Sequence, residues 1–119
     1  MHFFANVNEL RASLEPRGPL SLPAATALGN PMQTWGKTLF TEADSSIVSG
    51  LWQCEPGQSF WNFSDRGEVI HVLSGVMHVQ EEGGERVTLR AGSAAAFPKG
   101  WKGNWDIEET IFKFFTIYR

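Results

Sequence analysis

Short apolar and alternating runs cover most of the chain, and clusters of Gly, Pro, Asp or Ser separate them. From residue 35 onward these runs predict β-strands near 35–40, 47–55, 59–63, 68–74, 76–81, 85–90, 93–97, 102–107 and 110–118. No long helical pattern interrupts the runs, which argues against a parallel sheet with crossover helices. The pattern therefore predicts an all-β sandwich or barrel.

The N-terminal part of the chain has a different pattern. Four apolar residues at roughly helical spacing predict a short helix there: Phe4, Val7, Leu10 and Leu14. Asn6 or Asn8 could cap this helix, and the prolines from Pro16 onward end it and keep the following stretch irregular. We interpret residues 1–34 as an arm laid over the β-domain or over a partner subunit, with a disordered tail as the alternative. Residues 35–119 form the β-domain itself.

One hairpin can be placed in register from the sequence. If Ser74-Gly75 is a two-residue turn, which the glycine permits, His71 faces His78 across the hairpin. Alternation then turns one apolar patch inward: Ile70, Val72, Met77 and Val79. Glu68 shares that inward face, whereas the two histidines lie together on the outer face with Cβ atoms about 5 Å apart.

Composition excludes several classes of function. A chain of 119 residues with a net charge of −3 is one domain, and it has no basic stripe for nucleic acid or an anionic membrane. No stretch approaches the ~18 apolar residues of a membrane span, and the first residues lack the apolar region of a signal peptide. The single cysteine, Cys54, cannot form an internal disulfide, so we expect a reducing, cytoplasmic location.

Two glycine-punctuated strings carry a family resemblance. The first runs from Glu68 to Gly75, and the second runs from Gly92 to Pro98-Lys99-Gly100. Further strings support it: Gly50-Leu51-Trp52-Gln53-Cys54-Glu55-Pro56-Gly57, Trp61-Asn62-Phe63, Phe97-Pro98-Lys99-Gly100-Trp101-Lys102-Gly103-Asn104-Trp105 and Lys113-Phe114-Phe115. Over residues 35–118 the chain resembles the cupin superfamily, and it looks closest to the small cupins grouped with the cupin domain of ureidoglycine aminohydrolase.

The resemblance implies a fold and an assembly. We expect a single-domain, cupin-type double-stranded β-helix (a jelly-roll barrel) with an irregular N-terminal arm and a pocket at the barrel mouth. Cupins of this kind are often dimeric, and a homodimer would also cover exposed strand edges.

The metal ligands that the resemblance implies are largely missing. Metal-binding cupins carry a His-x-His string shortly before the glutamate and a further histidine shortly after the Pro-x-Gly turn. Here those positions hold Trp61, Phe63 and Gly103, and only Glu68 remains. Transition-metal sites typically combine a carboxylate with two or three imidazoles, so we expect no catalytic metal and no cofactor.

Glu68 and Lys113 are the candidate charged residues of the pocket. An inward carboxylate in an aromatic pocket is suited to proton transfer, so Glu68 is the candidate catalytic residue; the alternative is a structural acid paired with a lysine or with backbone amides. Lys113 lies in an apolar strand. It either reaches inward to Glu68 or a bound anion, or it faces solvent and discourages edge-to-edge association of strands.

Four aromatic residues are further candidates for ligand binding: Trp61, Phe63, Trp101 and Trp105. Their rings could stack on a flat ligand, and the alternative is a packed barrel core. His71 and His78 are expected to be a polar pair rather than a metal site, and Cys54 is expected to be a buried, inert thiol.

The sequence is compatible with two main functions. The first is a metal-free domain that binds a small polar or anionic metabolite in the aromatic pocket, without nucleic acid or membrane partners. The alternative is a metal-independent isomerase, epimerase or ureide-type hydrolase that uses Glu68 as its general acid or base. A metalloenzyme with an unusual ligand set is a third reading.

Overall fold

The computed structural model describes residues 6–119, which hold one short helix and nine strands. The helix is α1 (Val7–Arg11), and the strands are β1 (Glu15–Pro19), β2 (Thr26–Ala27), β3 (Gln33–Thr41), β4 (Ile47–Cys54), β5 (Gly57–Asn62), β6 (Gly67–Glu81), β7 (Arg86–Arg90), β8 (Ala94–Phe97) and β9 (Lys102–Tyr118). Within these residues no helix is long and apolar enough to cross a bilayer.

Strand β9 is the centre of a curled, antiparallel sheet. Its 17 residues pair with β4 and β5 on one side and with β6 on the other. The main path of the sheet is β1-β3-β4-β9-β5-β2, and β6 also pairs with β7 and β8. Five of the buried aromatic residues pack together inside the curl: Trp61, Phe63, Phe97, Trp101 and Trp105. The prediction of an all-β barrel is therefore confirmed.

The predicted N-terminal helix is present and is capped by Asn6. The Asn6 side chain accepts hydrogen bonds from the backbone N–H groups of Asn8 and Glu9, which have no partner inside the helix. At the other end, Arg11 Nε donates to Gln53 Oε1 at 2.9 Å, and the guanidinium lies 4.6 Å from the centre of the Phe112 ring. These contacts fix α1 on the outer face of the sheet. Phe4 lies outside the described residues.

The stretch after α1, which the sequence predicts to be irregular, contains two short strands. Strand β1 pairs with β3, and β2 pairs with β5. Prolines did not prevent this because β1 is at the edge of the sheet, where a missing N–H need not face a neighbouring strand. Residues from this N-terminal part therefore join the same sheet as the β-domain.

The predicted hairpin turn at Ser74-Gly75 is wrong. Strand β6 continues through this point, and its register with β9 shifts several times between Val72 and Met77. Gly75 has φ = +94°, a value that suits a bulge as well as a turn. His71 therefore pairs with Phe114 and Ala94, and His78 with Asp106 and Thr88, so the two histidines do not face each other.

The inward patch predicted from that hairpin is nevertheless correct. All four of its members are buried: Ile70, Val72, Met77 and Val79. A bulge inserts one residue, so the inward positions change from even-numbered to odd-numbered residues along the strand. A two-residue turn at the same place would produce the same change between two strands. Glu68 is buried on the same side, as expected.

Replacement of Gly75 by alanine should destabilise the protein more than the same change at Gly92. Both glycines have φ = +94°, but a Cβ at Gly75 would collide with the backbone oxygen of Thr110, whereas a Cβ at Gly92 meets nothing within 4 Å. Gly92→Ala should lower the free energy of unfolding by about 1–2 kcal/mol. Gly75→Ala should cost about 1–3 kcal/mol more, as measured by urea denaturation. Equal losses in the two variants would show that close approach to β9 is unimportant.

Candidate ligand-binding site

A cavity of about 250 Å³ lies between the first residues of β6 and the second half of β9. Its apolar lining comes from Pro23, Ala24, Trp52, Trp61, Phe115 and Ile117. Its charged lining comes from Asp65, Arg66, Glu68, Lys113 and Arg119. Strands β4, β5, β6 and β9 thus place inward side chains around one space, and the N-terminal segment closes part of it.

A buried ion pair forms one wall of the cavity. Lys113 Nζ donates to Glu68 Oε2 at 2.5 Å, and the two side chains are only 2% and 4% exposed. Of the two orientations considered for Lys113, the structure therefore has the inward one. Removing both charges from water costs several kcal/mol for each ion, and their mutual contact offsets that cost.

Three indole rings complete the surroundings of the Lys113 ammonium group. Nζ lies 4.6 Å from the ring centre of Trp52, 5.7 Å from that of Trp61 and 4.5 Å from that of Trp105. Such cation–π contacts favour the charged amine. Burial acts in the opposite direction and lowers the pKa of Lys113; the nearby Glu68 carboxylate counteracts this effect, and the positive charge of Arg66 adds to it.

Arg66 is a site residue that the sequence analysis missed. Its Nη2 donates to the backbone oxygen of Ala24 at 2.9 Å, its Nη1 contacts Asp65 at 3.2 Å, and its guanidinium lies 4.9 Å from the Phe63 ring centre. The side chain is 8% exposed, whereas that of Asp65 is 75% exposed. Alternation could have found Arg66, because it lies two residues before the inward Glu68.

Of the four aromatic candidates, only Trp61 lines the cavity. Trp105 is stacked behind Trp61 with ring centres 3.8 Å apart. Phe63 stacks on Phe97, and Trp101 meets both of these rings edge-on. Phe63, Trp101 and Trp105 are buried in this aromatic cluster and are not among the residues that line the cavity.

Trp52 is the indole that the sequence analysis did not propose for the site. It lines the cavity and meets Trp61 edge-on at 6.0 Å. In β4 it lies two residues before the buried Cys54 and pairs with Lys113 in β9, so the same face of the sheet carries all three residues. The ligand-facing aromatic surface is therefore the Trp52–Trp61 corner.

The residues at the expected metal positions do not fit a metal cage. Trp61 and Phe63 belong to the aromatic stack, and any side chain at Gly103 would collide with the backbone oxygen of Gln80. The carboxylate of Glu68 already binds Lys113. Between residues 6 and 119 there is no group of three His, Cys, Asp or Glu side chains arranged to hold a metal ion.

The remaining candidates do not line the cavity. His71 is exposed, and His78 makes hydrogen bonds to Thr88 Oγ1 at 2.8 Å and Glu108 Oε1 at 2.9 Å. Cys54 is buried, and burial raises the pKa of its thiol to about 12. It is therefore a poor nucleophile at neutral pH, as expected.

Solved structures share the fold over most of the chain. A protein of unknown function in the DUF861 family from Pseudomonas syringae pv. tomato has a TM-score of 0.76 at 18% identity, covering 98% of this chain but 46% of its own length. An ethanolamine utilization protein Q from Salmonella typhimurium has a TM-score of 0.64 at 20% identity, covering 88% and 96%. A cupin-2 domain protein from Shewanella frigidimarina has a TM-score of 0.67 at 16% identity, covering 98% and 96%.

These identities show the fold alone, and this chain spans about half the length of the Pseudomonas protein. A comparison with curated proteins finds no match. The family model described as the EutQ-like cupin domain matches residues 41–115, which is more than half of the chain. The chain therefore belongs to the EutQ-like cupin domain family.

Proposed function

We propose that this cupin domain binds a small anionic metabolite in the cavity without a metal. The observation that carries the proposal is the charge of the lining. Three cationic side chains, those of Arg66, Lys113 and Arg119, line the cavity with two carboxylates, those of Asp65 and Glu68, so the lining carries one net positive charge. Lys113 pairs with Glu68, and the buried guanidinium of Arg66 pairs with Asp65, whose side chain is 75% exposed.

The geometry of Arg66 suits an anionic ligand. A guanidinium has five N–H donors, and the contacts to Ala24 and Asp65 leave donors for a carboxylate or phosphate. Arg119 adds a second guanidinium to the lining. Membership of the EutQ-like family supports a metabolite-binding cupin but does not name the ligand.

The rest of the cavity limits the ligand's size and shape. Ligand pockets commonly enclose about 300–1,000 Å³. A volume of about 250 Å³ lies just below that range and suits a metabolite of a few heavy atoms. Trp52, Trp61 and Phe115 supply flat apolar surface for its non-ionic part.

Replacing Arg66 with methionine should strongly weaken anion binding. We expect acetate, lactate, pyruvate or phosphate to raise the melting temperature of the wild type, and the affinity for the best of them to fall at least about tenfold in Arg66→Met. Dissociation constants from calorimetry separate this loss from any change in stability. Arg86→Met is the matched control, because Arg86 is exposed and paired with Asp106 outside the cavity. No binding by the wild type, or equal losses in both variants, would refute the proposal.

A metal-independent enzyme is the second candidate function. The Glu68–Lys113 pair faces the cavity, so Glu68 is positioned to exchange a proton with Lys113 and with a bound substrate. The reaction would be an isomerisation, an epimerisation or a hydrolysis of the ureide type. Its turnover, but not its ligand binding, should be lost in Glu68→Gln. A variant that merely melts at lower temperature would assign Glu68 a structural role.

Substitutions of Glu68 and Lys113 should have strongly non-additive effects on the free energy of unfolding. Lys113→Met leaves a buried carboxylate without its cation and should lower the free energy of unfolding by about 3–5 kcal/mol. Adding Glu68→Gln to Lys113→Met should recover part of that loss, because no unpaired charge remains. Urea denaturation of the four proteins in this cycle measures the coupling. Simple additivity of the two changes would contradict it.

The proposed assembly is a homodimer formed through a neutral patch on the outer face of the sheet. Paired positions of β4, β6, β8 and β9 form this patch without Asp, Glu, Lys or Arg: Ile47, Ser49, Val69, His71, Ala94, Ala96, Phe114, Thr116 and Tyr118. Ile47 and Val69 are 40% and 46% exposed. Such a patch can face its own copy across a two-fold axis without repulsion between like charges.

Val69→Glu should convert the dimer to a monomer in light scattering. Val87→Glu is the control, since Val87 is 51% exposed but lies on β7, outside the neutral patch. A wild type that is monomeric at high concentration, or a dimer that survives Val69→Glu, would count against this interface.

A further inference from the structure

Lys113 is the lysine whose side chain lines the cavity. The other lysines of the chain, Lys37, Lys99 and Lys102, lie outside that lining. To neutralise Glu68, the side chain of Lys113 needs only a positive charge. A buried amine that faces a ligand cavity can also act as a nucleophile.

We propose that Lys113 forms a reversible imine with a small 2-oxo acid whose carboxylate is bound by Arg66. This inference rests on the proposed function, because it names the ligand class of the same cavity. It assigns Lys113 to the carbonyl carbon of the 2-oxo acid and Arg66 to its carboxylate.

Burial of Lys113 favours release of its proton, and this effect outweighs the opposing influence of the Glu68 carboxylate. Burial lowers the pKa of the amine, and the charge of Arg66 lowers it further, so more neutral amine is present than for an exposed lysine. Glu68 Oε2 lies 2.5 Å from Nζ, within reach to accept that proton and to return it later. A lysine needs this combination of desolvation and an adjacent base to attack a carbonyl at neutral pH.

Arg66 supplies the anchor for the carboxylate of the ligand. Arg66 and Lys113 both line the same cavity of about 250 Å³, so a small ligand can contact both side chains. A 2-oxo acid carries its carbonyl carbon next to its carboxylate. Binding of the carboxylate at Arg66 would therefore hold the carbonyl close to the wall that Lys113 forms.

The reaction needs no oxidant, reductant or metal. Glu68 takes one proton from the Lys113 ammonium, and the nitrogen lone pair attacks the carbonyl carbon to form a C–N bond. The attached nitrogen then passes one of its two protons to the carbonyl oxygen, which becomes the hydroxyl of a carbinolamine. That hydroxyl leaves as water with the proton returned by Glu68, and the nitrogen keeps one hydrogen. The ammonium and the carbonyl group thus become a protonated imine and one water, and the charge of the imine remains paired with Glu68.

The size of the cavity favours the smallest members of this ligand class. A volume of about 250 Å³ accommodates glyoxylate or pyruvate readily. The indole faces of Trp52 and Trp61 exclude water from the bond that forms, which protects an imine from hydrolysis.

Borohydride trapping tests the inference directly. The full chain is incubated with pyruvate or glyoxylate, reduced with sodium borohydride and analysed by intact mass and peptide mapping. We expect one adduct per chain, with the mass of the acid less one oxygen, located on Lys113. Labelling at Lys113 should exceed that at the exposed Lys102 by at least about tenfold, because the cavity holds the carbonyl next to Lys113. Lys113→Arg should lose the adduct, because a guanidinium does not form the imine.

A control ligand and the position of the adduct separate the possible outcomes. L-Lactate carries the same carboxylate without the carbonyl, so it should bind the wild type but leave no adduct. If lactate and pyruvate bind equally and reduction leaves Lys113 unmodified, the imine is refuted while anion binding stands. If neither acid binds, both proposals fail. Adducts spread over Lys37, Lys99 and Lys102, and unchanged in Lys113→Arg, would also overturn the inference; mapping of the wild type decides this even if that variant does not fold.

Discussion

The contact between Glu68 and Lys113 is the interaction on which the interior of this barrel depends. A lone carboxylate among aromatic rings would lose its hydration without compensation, at a cost of several kcal/mol. In metal-binding cupins a cation held by imidazoles meets the glutamate. Here an ammonium group meets it, and the faces of Trp52, Trp61 and Trp105 surround that ammonium. Indole faces complement an organic cation as imidazole nitrogens complement a metal, so Trp61, at one of the expected metal positions, suits a buried ammonium group.

Much of the fold was predictable because alternation is a local property. The β-strand pattern, the Asn6 cap and the inward face of Glu68 all depend on neighbours a few residues away. The course of β6 was not predictable in this way, because Gly75 suits both a turn and a bulge. The distinction is made by β9, which is long enough to pair with both halves of β6. The buried patch was predicted correctly because both geometries change the alternation equally.

The site was only partly predictable for a related reason. Alternation places a side chain inside the barrel, but it does not say whether that side chain lines the cavity or lies behind its wall. Trp61 and Trp105 are both buried and stacked 3.8 Å apart, and only Trp61 borders the cavity. Trp61 lies on β5 and Trp105 on β9, so their relative placement depends on the pairing of strands distant in sequence. Arg66 was missed because it lies between the predicted strands 59–63 and 68–74, where alternation was not applied.

Arg66 also joins the cavity to the N-terminal segment. Its hydrogen bond to the backbone oxygen of Ala24 holds that segment against the barrel, where Pro23 and Ala24 form part of the lining. The same guanidinium is the proposed anchor for an anion. A bound anion would fix the orientation of the guanidinium and thereby strengthen its contact with Ala24, because fewer rotamers remain to be lost. The strands β1 and β2 therefore do more than extend the sheet, because the backbone segment between them holds Ala24 within hydrogen-bonding distance of Arg66 at the cavity.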